Sequence, residues 1–349
     1  MAPNTLEGDR PIIDSHHHLW DRSRLDLHNM SFAEHGFSEM LRQRPRYLLD
    51  ELLADTQAGH DIRATVFIEC RSMYRAHGPA ARRCVGETEF VNGVAAMAAS
   101  GVYGPMQACA GIVGHADLRL GANVGVVLDA HIAAGGGRFR GIRQSAAFDT
   151  DADVLGPLSS RDMPAGLLAD ADFRAGFAEL APRGLSFDAW VLEPQLPEVI
   201  DLARAFPQTT IVLDHVGSPV GVGAYTGQRA ARFEGWREQI TALARCENVV
   251  AKLGGLGMPF PGFAWSYANR AEDHIALAEA WAPYLHTCIE AFGVERCMFE
   301  SNFPVDQFTC DYATLWNALK HVVRDVSLGE KDALFFDTAN RVYQLGLTK

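Results

Sequence analysis

The stretch Ile12–His18 reads IIDSHHH, so an apolar run leads directly into three consecutive histidines. Successive side chains of a strand point to opposite faces, and His16 and His18 are therefore expected on one face with His17 on the other. Two imidazoles at that spacing can share one divalent ion, or they can orient one water molecule or carbonyl. The structural alternative is a pair of hydrogen-bonded histidines in a polar barrel mouth.

Two later apolar runs also end in side chains that can do chemistry. His215 ends one of them, and the other is followed by Glu300, Asn302 and Asp306. Hydrolysis needs a base that activates water, so Glu300 and Asp306 are the acidic candidates, whereas the amide of Asn302 cannot accept a proton at neutral pH. His215, Asn302 and Asp306 are accordingly the predicted catalytic residues.

Polar residues at further predicted strand ends are candidates for substrate binding. The planar guanidinium of Arg143 suits a carboxylate or a lactone carbonyl, with a salt bridge at the rim as the alternative. Gln144 is a weaker companion of Arg143. Glu69 and Arg71 are predicted to share one face, where they bind substrate or pair with each other.

A single lysine, Lys252, lies within the apolar run Asn248–Leu253. A buried Lys252 needs a partner, for which Glu300 and Asp188 are the candidates, and this pairing is as plausible as contact with substrate. Trp190, on the same predicted face as Asp188, completes the candidates for substrate binding.

Short apolar runs alternate with longer amphipathic segments, which predicts βαβ units and a parallel sheet. The predicted strands are Pro11–His16, Ala64–Glu69, Gln107–Ile112, Phe139–Arg143, Leu185–Val191, Thr210–His215, Asn248–Leu253 and Arg296–Ser301. The predicted helices are Glu87–Ala99, Val124–Ala134, Gln195–Phe206, Gly235–Arg245, Ala276–Phe292 and Tyr312–Val323. This pattern favours an α/β fold, a closed (β/α)8 TIM barrel, over an open doubly wound sheet, and no GxGxxG phosphate loop supports the open form. With no low-complexity linker, residues 1–349 are predicted to form a single domain.

Four segments are too long to be plain connections and follow predicted strands. They are His28–Pro45, Gln144–Asp170, Gly217–Phe233 and Gly254–Asp273. In a barrel they lie over the C-terminal face, and four long loops on one face favour functional lids over disordered segments.

Composition restricts the class of partner. The formal net charge is −12 and no basic stretch is present, which disfavours nucleic acid. The seven cysteines form no CxxC pair, so free thiols in a reducing compartment are the simplest account. There is no apolar signal region, and no run approaches the ~18 apolar residues of a membrane span. These features predict a cytoplasmic protein that acts on a small molecule.

Three motifs together carry a family resemblance. They are Asp14-x-His16-x-His18, Asp214-His215-x-Gly217 and Ser301-Asn302-Phe303-Pro304. Their order and spacing resemble the amidohydrolase superfamily, closest to the amidohydrolase 2 branch, which includes sugar-acid lactonases and 2-pyrone-4,6-dicarboxylate lactonase. The resemblance implies a barrel with its site at the strand C-termini. It implies His16, His18 and His215 as metal ligands, or as groups that orient water and carbonyl where no metal is bound.

The chain departs from the family at the base. The family normally has an aspartate where Asn302 stands, and that aspartate takes the proton from the attacking water. Asp306 is the expected replacement, with Glu69 and Asp188 as alternatives.

The fourth predicted strand carries Arg143 and no lysine, whereas binuclear relatives carry a carboxylated lysine there. One divalent metal ion or none is therefore expected, with zinc the first expectation. The expected reaction is water addition to the carbonyl of a carboxylate-bearing lactone held by Arg143. The alternatives are non-oxidative decarboxylation of an aromatic or enoic acid, and small-molecule binding without catalysis. Barrels of this kind often pair, so a homodimer is one expected assembly.

Overall fold

Eight parallel strands form the centre of the molecule, each hydrogen-bonded to the next in chain order. The computed structural model describes residues 5–28, 31–160 and 164–349. The strands are β1 (Pro11–His17), β2 (Asp61–Ile68), β3 (Gln107–Gly114), β4 (Phe139–Arg143), β5 (Ser186–Ala189), β6 (Ile211–Leu213), β7 (Val249–Leu253) and β8 (Cys297–Phe299).

Residues just beyond β8 close the sheet against β1. The backbone N–H of Asn302 donates to the carbonyl of His16 at 2.8 Å, and the N–H of His18 donates to the carbonyl of Phe303 at 2.8 Å. The predicted (β/α)8 barrel is therefore confirmed. The first histidines and the exit of the last strand meet at its seam.

Helices surround the barrel and alternate with its strands. They are α1 (Gly36–Gln43), α2 (Leu49–Thr56), α3 (Val85–Ala99), α4 (Gly125–Ala134), α5 (Ala152–Leu155), α6 (Ala171–Phe177), α7 (Leu196–Ala205), α8 (Arg229–Leu243), α9 (His274–Phe292), α10 (Tyr312–Val322), α11 (Leu328–Asp332) and α12 (Thr338–Val342). α8 begins earlier than predicted, at Arg229, because its first turns carry no regular apolar periodicity. Within the described ranges, no helix is long and apolar enough to cross a membrane.

An apolar layer fills the lower part of the barrel. It is formed by inward side chains of the strands together with Phe336 and Tyr343 from the C-terminal segment around α12. The strand residues of this layer include Ile13, Val66, Val113, Val212, Val250 and Met298. The C-terminal segment therefore closes the end of the barrel opposite the strand exits.

Four strands, β2, β5, β6 and β8, end one or two residues earlier than their sequence pattern predicts. The ends of β6 and β8 bear on the site. β6 ends at Leu213, and His215 beyond it has φ 56°. β8 ends at Phe299, and Asn302 beyond it has φ 54°. A left-handed backbone cannot continue a strand, so both residues stand on turns above the barrel rim.

The long segments lie over the C-terminal face, as predicted. They contain α1 and α5, and they contribute Phe37, Leu158 and Met258 to the wall of a pocket. Residues 29–30 and 161–163, within two of these segments, lie outside the described residues.

Candidate active site

A layer of charged side chains lies above the apolar layer of the barrel. Along β6, β7 and β8, the side chain two positions after an inward apolar residue is charged, and for β6 and β8 this residue directly follows the end of the strand. The pairs are Val212 and Asp214, Val250 and Lys252, and Met298 and Glu300. Side chains of a strand alternate, so each charged group enters the same interior as its apolar predecessor. All three are fully buried.

Lys252 is held between two carboxylates. Its Nζ lies 2.7 Å from Oδ2 of Asp188 and 3.2 Å from Oδ1 of Asp214. Burial lowers the pKa of Lys252, but the attraction of Asp188, Asp214 and Glu300 outweighs burial and raises that pKa. Tyr343 also donates its hydroxyl to Oδ2 of Asp188 at 2.7 Å. The prediction that Lys252 pairs with a barrel carboxylate is confirmed for Asp188.

Hydrogen bonds at Nδ1 fix the rings of His18 and His215. Nδ1 of His18 lies 2.8 Å from the carbonyl of Ile68, and Nδ1 of His215 lies 2.7 Å from Oε1 of Glu300. Because a carbonyl and a carboxylate only accept, each Nδ1 carries a proton. Both rings line the pocket, and their centroids lie 4.9 and 4.5 Å from the ring of His16.

His16 is enclosed by charged groups below the pocket wall. Its Nδ1 lies 2.8 Å from Oε2 of Glu300 and 3.3 Å from Nζ of Lys252, and its Nε2 lies 3.3 Å from Nη1 of Arg143. Burial lowers the pKa of His16 well below its ordinary value, and the charge of Lys252 lowers it further. The ring is therefore neutral at physiological pH.

Two neighbours of these histidines support the barrel rather than the pocket. Nε2 of His17 lies 2.8 Å from Oγ1 of Thr65, on the face opposite His16 and His18, as strand alternation predicts. Asp14 accepts hydrogen bonds from the backbone N–H of Ser301 at 2.9 Å and from its hydroxyl at 2.6 Å. These bonds tie β1 to the exit of β8.

Two glycines after β7 permit the close approach of Glu300 and His215. A Cβ at Gly255, which has φ +67°, would lie 2.4 Å from the His215 ring, and a Cβ at Gly254 would lie 2.4 Å from Cγ of Glu300. Any larger residue at either position would push the carboxylate and the imidazole apart.

Arg143 and Trp190 are the predicted substrate-binding residues that line the pocket. Nε of Arg143 donates to Oε1 of Glu69 at 3.0 Å, and Nη2 donates to the Glu69 backbone carbonyl. Nη1 lies 3.5 Å from Oδ2 of Asp214. Gln144 is not among the residues that line the described pocket wall. Its side-chain amide forms hydrogen bonds in the loop after β3.

The prediction that Glu69 and Arg71 share one face is wrong. β2 ends at Ile68, and Arg71 has φ 60°, so strand alternation does not reach it. Glu69 is buried beside Arg143, whereas Arg71 is exposed.

Asn302 lines the pocket, and Asp306 lies behind it. Nδ2 of Asn302 donates to Oδ1 of Asp306 at 2.7 Å, and the N–H of Gly257 donates to Oδ2 at 2.9 Å. Burial raises the pKa of Asp306 to about 7, although the charge of His215 opposes this rise. Asp306 is therefore placed to position Asn302 and does not itself form part of the described pocket wall.

The pocket opens to solvent, and about 410 Å³ of empty space lies between its walls when the open part is included. The polar groups of its described wall are His18, Arg22, Arg143, His215 and Asn302.

His16, His215 and Glu300 form a candidate metal site, since one ligand atom of each lies within 4.8 Å of the others. Glu300 is the third residue of this candidate site, in place of His18, which the family resemblance had implied as a metal ligand. Its Oε2 is buried without a hydrogen-bond donor of suitable geometry among the described residues, although it lies 2.8 Å from the His16 ring. Two imidazoles and a carboxylate are a normal donor set for one divalent ion, so these residues fit such an ion.

Sequence reasoning did not assign three residues of the site. Asp214 completes the ion pair of Lys252, and its spacing from Val212 was the available signal. Tyr343 contacts Asp188 from the C-terminal segment, and Arg22 lines the pocket. No local pattern marks either of these two, because only the folded chain brings them to the site.

Comparison with known proteins establishes the family. A model of the amidohydrolase family matches residues 13–345, nearly the whole chain. The uncharacterized protein y4mH of Sinorhizobium fredii (strain NBRC 101917 / NGR234) is 35% identical over 343 residues, covering 97% of this chain and 100% of that protein. The chain therefore belongs to the amidohydrolase family and is an enzyme of the amidohydrolase hydrolase type. The resemblance drawn from its motifs is confirmed.

Two further relatives bear on chemistry. An L-fucono-1,5-lactonase of Burkholderia multivorans (strain ATCC 17616 / 249) is 31% identical over 177 residues, 50% of this chain and 57% of that protein. A crystal structure of a Burkholderia multivorans amidohydrolase with bound zinc superposes with a TM-score of 0.69 at 25% identity, covering 96% of this chain and 99% of that one.

Proposed function

We propose that the protein is a lactonase, which hydrolyses a small carboxylate-bearing lactone by attack of water on the ring carbonyl. One observation carries this proposal. The pocket wall combines the imidazole of His18, whose Nδ1 is already hydrogen-bonded to a backbone carbonyl, with the guanidinium of Arg143. A proton acceptor for water thus stands close to a donor for a carbonyl oxygen. The lactonase relative supports the same reaction class.

His18 is the proposed proton acceptor. Burial and then the charge of Arg143 lower the pKa of His18 well below its ordinary value, so the ring stays neutral. Its Nε2 accepts the proton as the water oxygen bonds to the carbonyl carbon, and returns it to the ring oxygen when the ring C–O bond breaks. The product is the open-chain hydroxy acid.

Arg143 is the proposed donor to the carbonyl oxygen. Its contacts with Glu69 and Asp214 hold the guanidinium in place before substrate arrives. A fixed cation at the oxygen where negative charge develops stabilises the transition state.

His16, His215 and Glu300 are the residues that would hold a metal ion, for which zinc is our proposal. Such an ion supplies Lewis-acid polarisation and lowers the pKa of water. A base as weak as His18 then suffices. Asp306, which the sequence pointed to as the base, is proposed to position Asn302 at the wall.

The test is to incubate the purified protein with a panel of lactones and to measure the acid that hydrolysis releases. In parallel, CO2 release is measured with benzoate-type acids. We expect acid without CO2. Replacing His18→Asn should lower kcat at least about 100-fold, whereas His77→Asn, at an exposed histidine, should leave kcat unchanged. CO2 release without lactone hydrolysis would contradict the proposal, and an active His18→Asn variant would remove His18 from the proton transfer.

A further inference from the structure

Arg22 is a second cation at the pocket wall, outside the cluster of histidines and carboxylates. Its Nη2 donates to the carbonyl of Cys70 at 2.9 Å, and its guanidinium lies 4.9 Å from the centre of the Trp20 ring. No carboxylate of the described residues forms an ion pair with it. Arg143, by contrast, is paired with Glu69. Arg22 is thus the wall cation whose charge is left for a ligand.

Trp190 contributes an aromatic ring to the same wall. The ring lies 5.9 Å from the guanidinium carbon of Arg143, which places an apolar surface beside the proposed reaction centre.

The remaining wall is largely apolar. Its apolar members include Trp20, Phe37, Leu158, Trp190, Met258 and Val305. Within the described part of the chain, the wall contains no carboxylate. A polyhydroxylated lactone would bring several hydroxyl protons into this pocket and find few acceptors for them. A site rejects a ligand whose polar groups it leaves unpaired.

We infer that the pocket selects a lactone with an apolar or aromatic body and one carboxylate, and that Arg22 binds that carboxylate. This inference rests on the proposed lactonase function and names its substrate class. Sugar-type lactones are then poor substrates, which distinguishes this enzyme from the L-fucono-1,5-lactonase to which it is similar.

The kinetic test compares three lactones: an aryl-substituted δ-lactone with a carboxylate, its methyl ester, and L-fucono-1,5-lactone. We expect kcat/KM for the acid to exceed the other two about 10- to 100-fold, the range expected for one charge-assisted contact. Arg22→Met should remove the preference for acid over methyl ester, and Arg22→Lys should restore part of it. Arg24→Met, at an exposed arginine nearby, is the matched control. A purely structural Arg22 would lower both rates equally and overturn the inference.

A binding measurement keeps this inference separate from turnover. In calorimetric titrations, phenylacetate should bind at least about 10-fold more tightly than phenylacetamide, and Arg22→Met should abolish the difference. If that pattern holds while no lactone is hydrolysed, the lactonase proposal fails and the assignment of the pocket stands. If lactones are hydrolysed with L-fucono-1,5-lactone preferred, or phenylacetate shows no advantage, the inference is wrong and the lactonase proposal survives.

Discussion

Glu300 binds His215 twice, because its Oε1 accepts the ring Nδ1–H at 2.7 Å and the backbone N–H at 3.1 Å. One carboxylate thereby fixes both the imidazole and the left-handed turn on which it stands. Its other oxygen lies 2.8 Å from Nδ1 of His16. A single side chain at the exit of β8 therefore fixes His215 and also contacts His16, although the two histidines are far apart in the sequence.

Replacing Glu300→Gln should disable the site. Burial raises the pKa of Glu300, but His215 and His16 outweigh burial and lower the pKa to about 2, so the native group is an anion. Glutamine keeps the shape and loses the charge. We expect kcat/KM to fall at least about 100-fold. The affinity for the metal should fall about 10- to 100-fold, so elemental analysis should find less metal bound to the purified variant. The control is Glu290→Gln, at an exposed residue of α9. Unchanged metal content and activity would contradict this role.

Asp306→Asn should change how stability depends on pH. The pKa of Asp306 rises from its ordinary 3.8 to about 7 on folding, so the unfolded chain ionises first as the pH increases. The stability that the protonated carboxyl contributes is fully present below pH 3.8 and is lost as the pH rises to about 7. Asparagine does not titrate. Relative to the wild type, the free energy of unfolding of the variant should therefore rise by about a few kcal/mol over this range.

Urea unfolding at a series of pH values measures this slope. Asp325→Asn, at an exposed residue, should show the wild-type slope. Parallel curves for Asp306→Asn and wild type would mean that the pKa of Asp306 is the same in the folded and the unfolded chain.

Lys252→Met should destabilise the protein strongly. The substitution leaves Asp188 buried without a cation and removes the nearer of the two cations beside Asp214, and breaking a buried pair on one side costs about 3–5 kcal/mol. Adding Asp188→Asn removes one unpaired charge, so the double variant should recover at least about 1 kcal/mol in urea unfolding. A single variant within about 0.5 kcal/mol of wild type would show that the pair is not a net support.

Tyr343→Phe tests whether the C-terminal segment supports the site. The hydroxyl donates to Asp188 at 2.7 Å in a fully buried setting, so its removal should cost about 1–2 kcal/mol. Because Asp188 holds Lys252, we also expect kcat to fall a few-fold, while KM stays near its wild-type value. Tyr103→Phe, at a half-buried tyrosine, is the control. Loss of stability with unchanged kcat would confine Tyr343 to a packing role.

The sequence by itself determined the barrel and the position of its first histidines. Apolar runs and their alternation are local properties, and they placed His16 and His18 on one face of β1. The same local rule failed beyond the strand ends. Arg71, His215 and Asn302 have positive φ values, and a left-handed residue breaks the alternation on which the prediction depends.

Only the tertiary structure decided which charges meet. From the sequence alone, Arg143 could bind a substrate or form a salt bridge. In the folded protein it forms a salt bridge with Glu69, whereas no carboxylate of the described residues forms an ion pair with Arg22. Glu300 joins two histidines, and Tyr343 reaches Asp188 across the closed end of the barrel. These contacts join residues from different strands or loops, so they depend on barrel closure and side-chain packing, which no local pattern of residue types records.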